Sequence, residues 1–416
     1  MKRTVKFGIF GLGRGGSFYN TVLLNNGEIV AVCDLNEKKL ADAKKHLGDN
    51  LATYTDFDEF INHEGLEAIF LCNYFHEHAE YAIKALKKNI HVLSECTSNG
   101  TMAEGVELVR AAEGSQAIYM LAENYPFMKF NREMRRVYQS GTLGQVLFAE
   151  GEYNHPMDYT GLDLQEWRML HPYAKHWRNH LPRTYYVTHS LAPLMYITES
   201  KPIRVTAFAA NIPYPKEWAH PFNGDRAAII SCLNDDGSVY RVTGCASFGA
   251  HENSYRICGT KGQIENIRGE EKVLLRYNKW DVPENANRTS VYNPEWNDPQ
   301  ARLIDQAGHG GGDFLVIREF FDCIRENRLP MFDVYFATTM ASVAILAHRS
   351  VLEGGRPYDI PDFRKEEDRK EYENDRLSPF YGKDGSAPTL RTSSHVEDIP
   401  TEEDMERYDR AISEIK

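Results

Sequence analysis

An apolar strand, Thr4 to Phe10, runs directly into Gly11-Leu12-Gly13-Arg14-Gly15-Gly16, and a second apolar run, Ile29 to Cys33, ends on Asp34. Strand, glycine turn, helix, strand and acid in this order constrain the chain to open with a βαβ unit that binds a dinucleotide. Each spaced glycine has its own task. Gly11 permits the tight turn, Gly13 lets the backbone approach a pyrophosphate, and Gly16 allows the next helix to pack closely on the sheet. Leu12 and Arg14 fill the loop between them, and the helix start offers free N–H groups and a positive dipole end to phosphates. Asp34 follows Gly11 by 23 positions, where a carboxylate accepts hydrogen bonds from a ribose diol. A 2′-phosphate would meet like-charge repulsion there, and no arginine follows directly in Leu35-Asn36-Glu37. NAD is therefore expected over NADP, although Lys38 and Lys39 could still reach a phosphate.

The first ~122 residues alternate strand and helix as a doubly wound parallel sheet requires. Ala68–Cys72 is a wholly apolar buried strand, His78–Lys88 has helical periodicity, and His91–Ser94 is a further strand. Beyond Phe130 the grammar changes: long strands arrive at Gln145–Tyr153, Ile203–Ile212, Ala227–Leu233, Val239–Phe248 and Ser254–Cys258. The fold class expected is α/β, an N-terminal Rossmann doubly wound parallel sheet plus a C-terminal α+β domain with a large open, mostly antiparallel sheet. Boundaries are placed at 1–125 for the nucleotide domain, 126–361 for a substrate-binding and oligomerisation domain, and 362–416 for a charged tail, solvated or subunit-wrapping. Phe314–Glu326 and Ala337–Leu352 read as helices returning to the nucleotide domain.

Charge excludes one class of partner. Sixty acidic residues against 48 basic ones give a net charge of −12, which argues against nucleic acid. No apolar run approaches the ~20 residues needed to span a bilayer, so no membrane partner is expected. The seven cysteines form no CxxC pair and several sit in apolar strands, which reads as reduced thiols in a cytoplasmic protein. An open sheet face suggests a homo-oligomer, dimer or tetramer.

Several further motifs resemble the Gfo/Idh/MocA oxidoreductase family over residues 1 to about 361. Asn73-Tyr74-Phe75-His76-Glu77-His78 stands where that family has a loop contacting the cofactor. Ala85-Leu86-Lys87-Lys88-Asn89-Ile90-His91-Val92-Leu93-Ser94-Glu95 is similar to its signature around the fifth strand. Glu123-Asn124 matches residues beside the nicotinamide, and Gly259-Thr260-Lys261-Gly262 a hairpin of the second domain. The resemblance implies cofactor contacts from Asn73, His78, Glu95 and Asn124.

Departures from the family matter equally. Its dehydrogenases usually read Glu-Lys-Pro after the fifth strand, the lysine polarising the substrate hydroxyl; here the residues are Glu95-Cys96-Thr97. Losing the proline is expected to remove the special backbone geometry there, and Cys96 becomes a neutral thiol lining the cofactor pocket. The family's Asp-x-x-x-His pair keeps its histidine, His189, while Tyr185 replaces the acid. The segment Tyr186-Val187-Thr188-His189-Ser190-Leu191-Ala192-Pro193 is similar to a motif of the NAD-dependent α-N-acetylgalactosaminidases, a glycosidase branch of this superfamily. His309-Gly310-Gly311-Gly312-Asp313-Phe314 extends that likeness.

Hydride transfer from a secondary alcohol needs a base for the hydroxyl proton, and histidine suits the task because its pKa lies near working pH. His189 is expected in that role with Tyr186 sharing the proton; the spacing of three puts both on one face if a helix begins here. The bland alternative is a packing pair at a helix start. The function expected is an NAD-dependent oxidoreductase acting on a ring carbon of a sugar or glycoside, C3 foremost. The alternative is a redox-cycling glycosidase: oxidation at C3, elimination across C1–C2, water addition and re-reduction. A non-catalytic NAD(H) sensor is a third reading. Trp167, Arg168, Trp177 and Arg178, with Tyr185 and Cys96, are expected to face a small-molecule sugar. His171, His176 and His180 lack a familiar ligand spacing, so no metal is expected.

Overall fold

The structure, a computed structural model, describes residues 2–156, 170–211 and 224–414. Trp167 and Arg168 lie outside the described residues. The chain forms two compact units. The first takes the residues up to Arg136 together with Asn293–Ala341 and Pro361–Asp375. The second takes Val137–Tyr292, Ser342–Ile360 and the residues from Arg376 on.

A six-stranded parallel sheet forms the first unit, with strands β1 (Val5–Phe10), β2 (Gly27–Cys33), β3 (Ala52–Tyr54), β4 (Ala68–Leu71), β5 (His91–Ser94) and β6 (Tyr119–Leu121). Their spatial order is β3-β2-β1-β4-β5-β6, so the winding reverses between β1 and β4. In sheets of this kind ligands bind at that reversal, outside the carboxyl ends of the strands. Short local signals place the helices. Asn36 caps Glu37–Leu47 by accepting from the Lys38 backbone N–H at 3.0 Å, and Thr101 with Glu104 forms a capping box before Met102–Glu113. The helix Gly312–Glu326 packs on this sheet through Phe320 and Phe321. The Phe7 and Phe321 rings meet edge-on at 5.1 Å, and all three phenylalanines are fully buried.

Nine strands form the sheet of the second unit: β7 (Val146–Asn154), β8 (Pro202–Ala210), β9 (Ala227–Asn234), β10 (Val239–Thr243), β11 (Glu252–Gly259), β12 (Gly262–Asn266), β13 (Val273–Tyr277), β14 (Thr289–Tyr292) and β15 (Tyr358–Asp359). The order is β14-β13-β12-β11-β7-β10-β9-β8-β15, antiparallel except where β10 runs parallel to β7. Glycine lets a helix lie close on it. A Cβ at Gly151 would overlap the Ser190 carbonyl, and one at Gly244 would overlap the Arg183 carbonyl. Gly244 also explains why the strand expected to reach Phe248 stops at Thr243, since the chain must yield there to the Arg183 turn.

The tail differs from a solvated segment. The helix Glu402–Glu414 buries Met405, Tyr408 and Ile412 against Ala174. Asp409 accepts from the Ala174 backbone N–H at 2.7 Å, and the Tyr408 hydroxyl donates to the His171 carbonyl at 2.8 Å. Spacing of three and four between its apolar residues makes the face that a charged segment otherwise lacks.

Candidate functional site

Within the first unit, the glycine loop leaves β1 as a tight turn. Gly11 has φ +90° and lies so close to the Cys72 carbonyl that a Cβ would come within 2.5 Å of its oxygen. At Gly13 a Cβ would meet only the Lys39 Nζ, at 3.6 Å, which leaves room for a ligand against the backbone. Close packing falls to a different glycine than the spacing suggests. A Cβ at Gly16 would make ordinary contact with Tyr19 at 3.8 Å, whereas one at Gly15 would collide with the Ile9 side chain. The 3₁₀ turn Gly15–Phe18 rotates the contact back by one residue.

Asp34, at the end of β2, accepts from the Leu12 N–H at 2.7 Å and from the Asn36 N–H at 2.8 Å, tying the acid to the loop. Lys39 brings its ammonium within 3.7 Å of Asp34. At the carboxyl end of β4, both amide atoms of Asn73 are buried without a partner, and so is the Nε2 of His78. The His78 Nδ1 lies 2.8 Å from the Thr97 carbonyl, and burial pushes its pKa down to about 4, so the ring is neutral and Nδ1 donates. A buried amide lacking both a donor and an acceptor is the chemistry that a ligand's hydroxyl or carboxamide satisfies.

The carboxyl ends of β5 and β6 carry a charged cluster that the sequence does not advertise. Arg14 reaches from the glycine loop to Glu95 at 3.1 Å and to Asp313 at 2.8 Å. Burial works against the Arg14 charge, but the two carboxylates raise its pKa above the ordinary value. Asp313 also accepts from the Asn124 amide at 2.7 Å and lies 3.0 Å from the His309 Nδ1. Burial alone would raise the Asp313 pKa; His309 and Arg14 outweigh it and lower it to about 2. The Cys96 thiol donates to Glu123 at 3.1 Å. The Cys96–Thr97 peptide is cis, so the special backbone geometry expected to vanish with the proline is present. Cys96 is buried with its thiol turned to Glu123.

Asp313→Ala removes one of the two carboxylates on Arg14 and the acceptor of Asn124. A roughly tenfold loss of NADH affinity is expected, the scale of one charge-assisted contact. Fluorescence titration measures it, and an unchanged dissociation constant would show that the cluster does not shape the cofactor site.

In the second unit, Tyr186 ends the 3₁₀ turn Arg183–Tyr186 and His189 opens the helix Thr188–Thr198. They do not share one continuous helix, yet their rings meet edge-on with centroids 5.0 Å apart. Tyr153 on β7 adds a third ring, 4.8 Å from His189 and 5.7 Å from Tyr186. The helix start is fixed by backbone anchors: the Tyr255 hydroxyl donates to the His189 carbonyl at 2.6 Å, and the Ser190 hydroxyl to the Thr243 carbonyl at 2.5 Å.

Tyr185 departs from its expected place among sugar-facing residues. Its side chain is fully buried, packed edge-on against His348 at 5.9 Å and Phe380 at 5.5 Å. In the tight turn, adjacent residues point apart, so Tyr186 reaches the His189 ring and Tyr185 enters the core. Trp177 is buried with the Arg178 guanidinium 4.4 Å over its ring, and Arg178 is exposed. His171 and His180 are pushed down to about pKa 4 by burial and bind locally, His171 to Asn179 at 2.6 Å and His180 to the Ala174 carbonyl at 3.1 Å. No group suited to a metal ion occurs among the described residues.

Three family models match the chain. A family model described as oxidoreductase family, NAD-binding Rossmann fold, matches residues 5–123, and a GFO/IDH/MocA C-terminal domain model matches 131–265. A third, the C-terminal domain of glycosyl hydrolase 109, matches 220–370. The chain is 25% identical to a glycosyl hydrolase family 109 protein of Streptomyces niveus, over 89% of this chain and 79% of that protein. It is 25% identical to an alpha-N-acetylgalactosaminidase of Tannerella forsythia, over 87% of this chain and 86% of that protein. Among solved structures, a levoglucosan dehydrogenase in complex with NADH and levoglucosan aligns with a TM-score of 0.73 at 16% identity, covering 86% of this chain and all of that one. The myo-inositol 2-dehydrogenase of Lactobacillus plantarum aligns at 0.66 with 17% identity, covering 86% of this chain and 100% of that one. These structural likenesses concern the fold.

Proposed function

This chain belongs to the Gfo/Idh/MocA oxidoreductase family, and from that premise we propose that it transfers a hydride between NAD and a ring carbon of a sugar or glycoside, C3 in our reading. The observation that carries the chemistry is the edge-on meeting of Tyr186 and His189 at an anchored helix start. Bound NAD supplies the hydride acceptor. Gly11, Leu12, Gly13, Arg14 and Gly16 would hold its phosphates and Asp34 its ribose, while Asn73 and His78 offer buried polar atoms and Glu95 and Asn124 the nicotinamide end. His189 takes the proton from the reacting hydroxyl, and Tyr186 shares it through its phenol. The residues to about 136 then serve as the cofactor domain and the nine-stranded unit as the substrate domain.

A redox-neutral glycosidase is the second reading, favoured by a specific observation. Cys96, where the family dehydrogenases place lysine, spends its proton on Glu123, so no ammonium polarises the substrate there. A ketone at C3 acidifies the C2 proton. Removal of that proton by Tyr186 or His189 forms a C1–C2 double bond as the C1–O bond breaks, and the aglycone leaves with a proton. Water then adds at C1, C2 is reprotonated, and the hydride returns to C3. The glycosyl hydrolase 109 relatives support this branch.

Two measurements separate the readings. With a glycoside panel and NAD, absorbance at 340 nm accumulates for a dehydrogenase. A glycosidase instead releases the aglycone without that rise and incorporates solvent deuterium at C2. Silence in both, with NAD still bound, would refute the enzyme readings in favour of a sensor. Exposed Phe208, Ile229, Leu233 and Val239 on the open sheet support a homo-oligomeric dimer or tetramer, checked by sedimentation. Seven free cysteines support a cytoplasmic location. No described helix is long and apolar enough to cross a membrane.

A further inference from the structure

The loop ahead of the helix Gly312–Glu326 is shaped to aim one side chain. His309, Gly310 and Gly311 follow one another in the left-handed region, with φ of +53°, +58° and +90°. Glycine accepts that backbone freely, whereas a side chain there is strained. Among the described residues, only Glu199 and His309 adopt a positive φ without being glycine or asparagine. Strain of this kind persists where the surroundings enforce it, and it gathers at functional sites. The helix start lies on the chain leaving β6, since a Cβ at Gly312 would overlap the Asn124 carbonyl.

What His309 meets is a carboxylate held from its other side. The His309 Nδ1 lies 3.0 Å from Oδ2 of Asp313. Oδ1 of the same acid accepts from Arg14 at 2.8 Å and from Asn124 at 2.7 Å. One oxygen is committed to two donors, so the other fixes the imidazole: Nδ1–H donates to it, and Nε2 is the exchanging position. No hydrogen bond among the described residues uses that Nε2, and the residue is exposed. A carboxylate orienting an imidazole whose second nitrogen is free is the arrangement of a proton-transferring dyad. Arg14, Glu95, Asn124, His309 and Asp313 all belong to the first unit, and Glu95 and Asn124 mark the nicotinamide end in the reading above. A hydride passes only where the sugar carbon touches the nicotinamide, so a group at that end faces the sugar.

We propose that His309, oriented by Asp313, is the acid that protonates the departing aglycone, a second proton-transferring group with a duty opposite to that of His189. This rests on the redox-neutral glycosidase reading above and assigns the proton with which the aglycone leaves. Elimination needs a base and an acid in the same step. As Tyr186 or His189 takes the C2 proton, the C2–H electron pair becomes the C1–C2 double bond and the C1–O pair passes to the aglycone oxygen. The Nε2 proton of His309 goes to that oxygen, and the alcohol leaves. His309 then takes a proton from the water whose oxygen bonds to C1, while C2 is reprotonated, so the dyad is restored for the next cycle. A plain dehydrogenase has no such second proton to place, and a second dyad therefore fits elimination.

The test follows aglycone release by the NAD-loaded full chain from 4-nitrophenyl, phenyl and methyl glycosides. These are taken in gluco and galacto configuration, as both anomers, with 2-hydroxyl or 2-acetamido groups. His309→Asn and His309→Gly both suit the left-handed backbone, and an unchanged melting temperature verifies folding. A 4-nitrophenolate departs without a proton and a methoxide does not. Release of methanol should therefore fall about 10²-fold or more in either variant, while release of 4-nitrophenol falls less than about threefold and phenol lies between. Exchange of the C2 proton with solvent deuterium should persist, because His189 and Tyr186 are untouched. An equal loss for all three leaving groups, loss of C2 exchange together with release, or undiminished release of methanol would overturn the assignment and leave the glycosidase reading standing. No aglycone release by the wild-type chain from any of these glycosides would refute that reading and the assignment with it.

Discussion

Replacing His189 with alanine is expected to lower turnover by about 10²- to 10⁴-fold, the range that a positioned general base contributes. NADH affinity should change less than about twofold, because the glycine loop, Asp34 and Asn73 belong to the nucleotide-binding unit and His189 to the other. Tyr186→Phe keeps the ring packing at 5.0 Å and removes only the hydroxyl, so a smaller loss separates proton sharing from packing. Stopped-flow reduction of NAD and fluorescence titration of NADH read the two quantities independently. Comparable loss of both in His189→Ala would show that the residue organises structure instead of moving a proton.

Acid should weaken the fold well above the pH at which carboxylates titrate. His78, His171, His180 and His348 are each pushed down to about pKa 4 by burial, from an ordinary 6.5. Between pH 6.5 and 4 the unfolded chain therefore binds protons that the native chain refuses, and stability falls as pH falls. The loss begins below about 6.5 and levels off below about 4. At pH 5 each histidine costs about 2 kcal/mol by this linkage, an order-of-magnitude figure. Asp313 acts later and separately: its pKa drops from 3.8 to about 2, so its contribution is intact above 3.8 and is lost as pH falls through 2. Urea midpoints at pH 7.5, 6 and 5 should fall monotonically. A flat profile would mean that the four rings are protonated in the native state without penalty.

Local signals carried the nucleotide half a long way. Glycine turns, an Asn36 cap and alternating apolar strands act over a few residues, and the reading of β1, the helix beginning at His78 and β5 from sequence meets the structure within a residue or two. Other features depend on contacts that no window contains. Asp313 lies 299 residues from Arg14, and the acid four places after His309 is the one trace it leaves in sequence. The strand β12 is not legible because two of its three buried positions are Gly262 and Asn266, the latter buried with its side-chain oxygen on the Tyr255 N–H. His155 and His251 are 96 residues apart and meet through strand register alone. Tyr185 and Tyr186 are chemically equivalent in sequence; only the 3₁₀ turn decides which enters the core and which meets the His189 ring.

The helix Glu402–Glu414 has a consequence for synthesis and engineering. Asp409 and Tyr408 fasten Ala174 and His171 across 235 and 237 positions, just ahead of Trp177 and Arg178. A nascent chain cannot secure that loop until some two hundred further residues have left the ribosome, so this part of the second unit is completed late in translation. Transplanting the loop into a relative would fail for the same reason unless its distant fastener travelled with it.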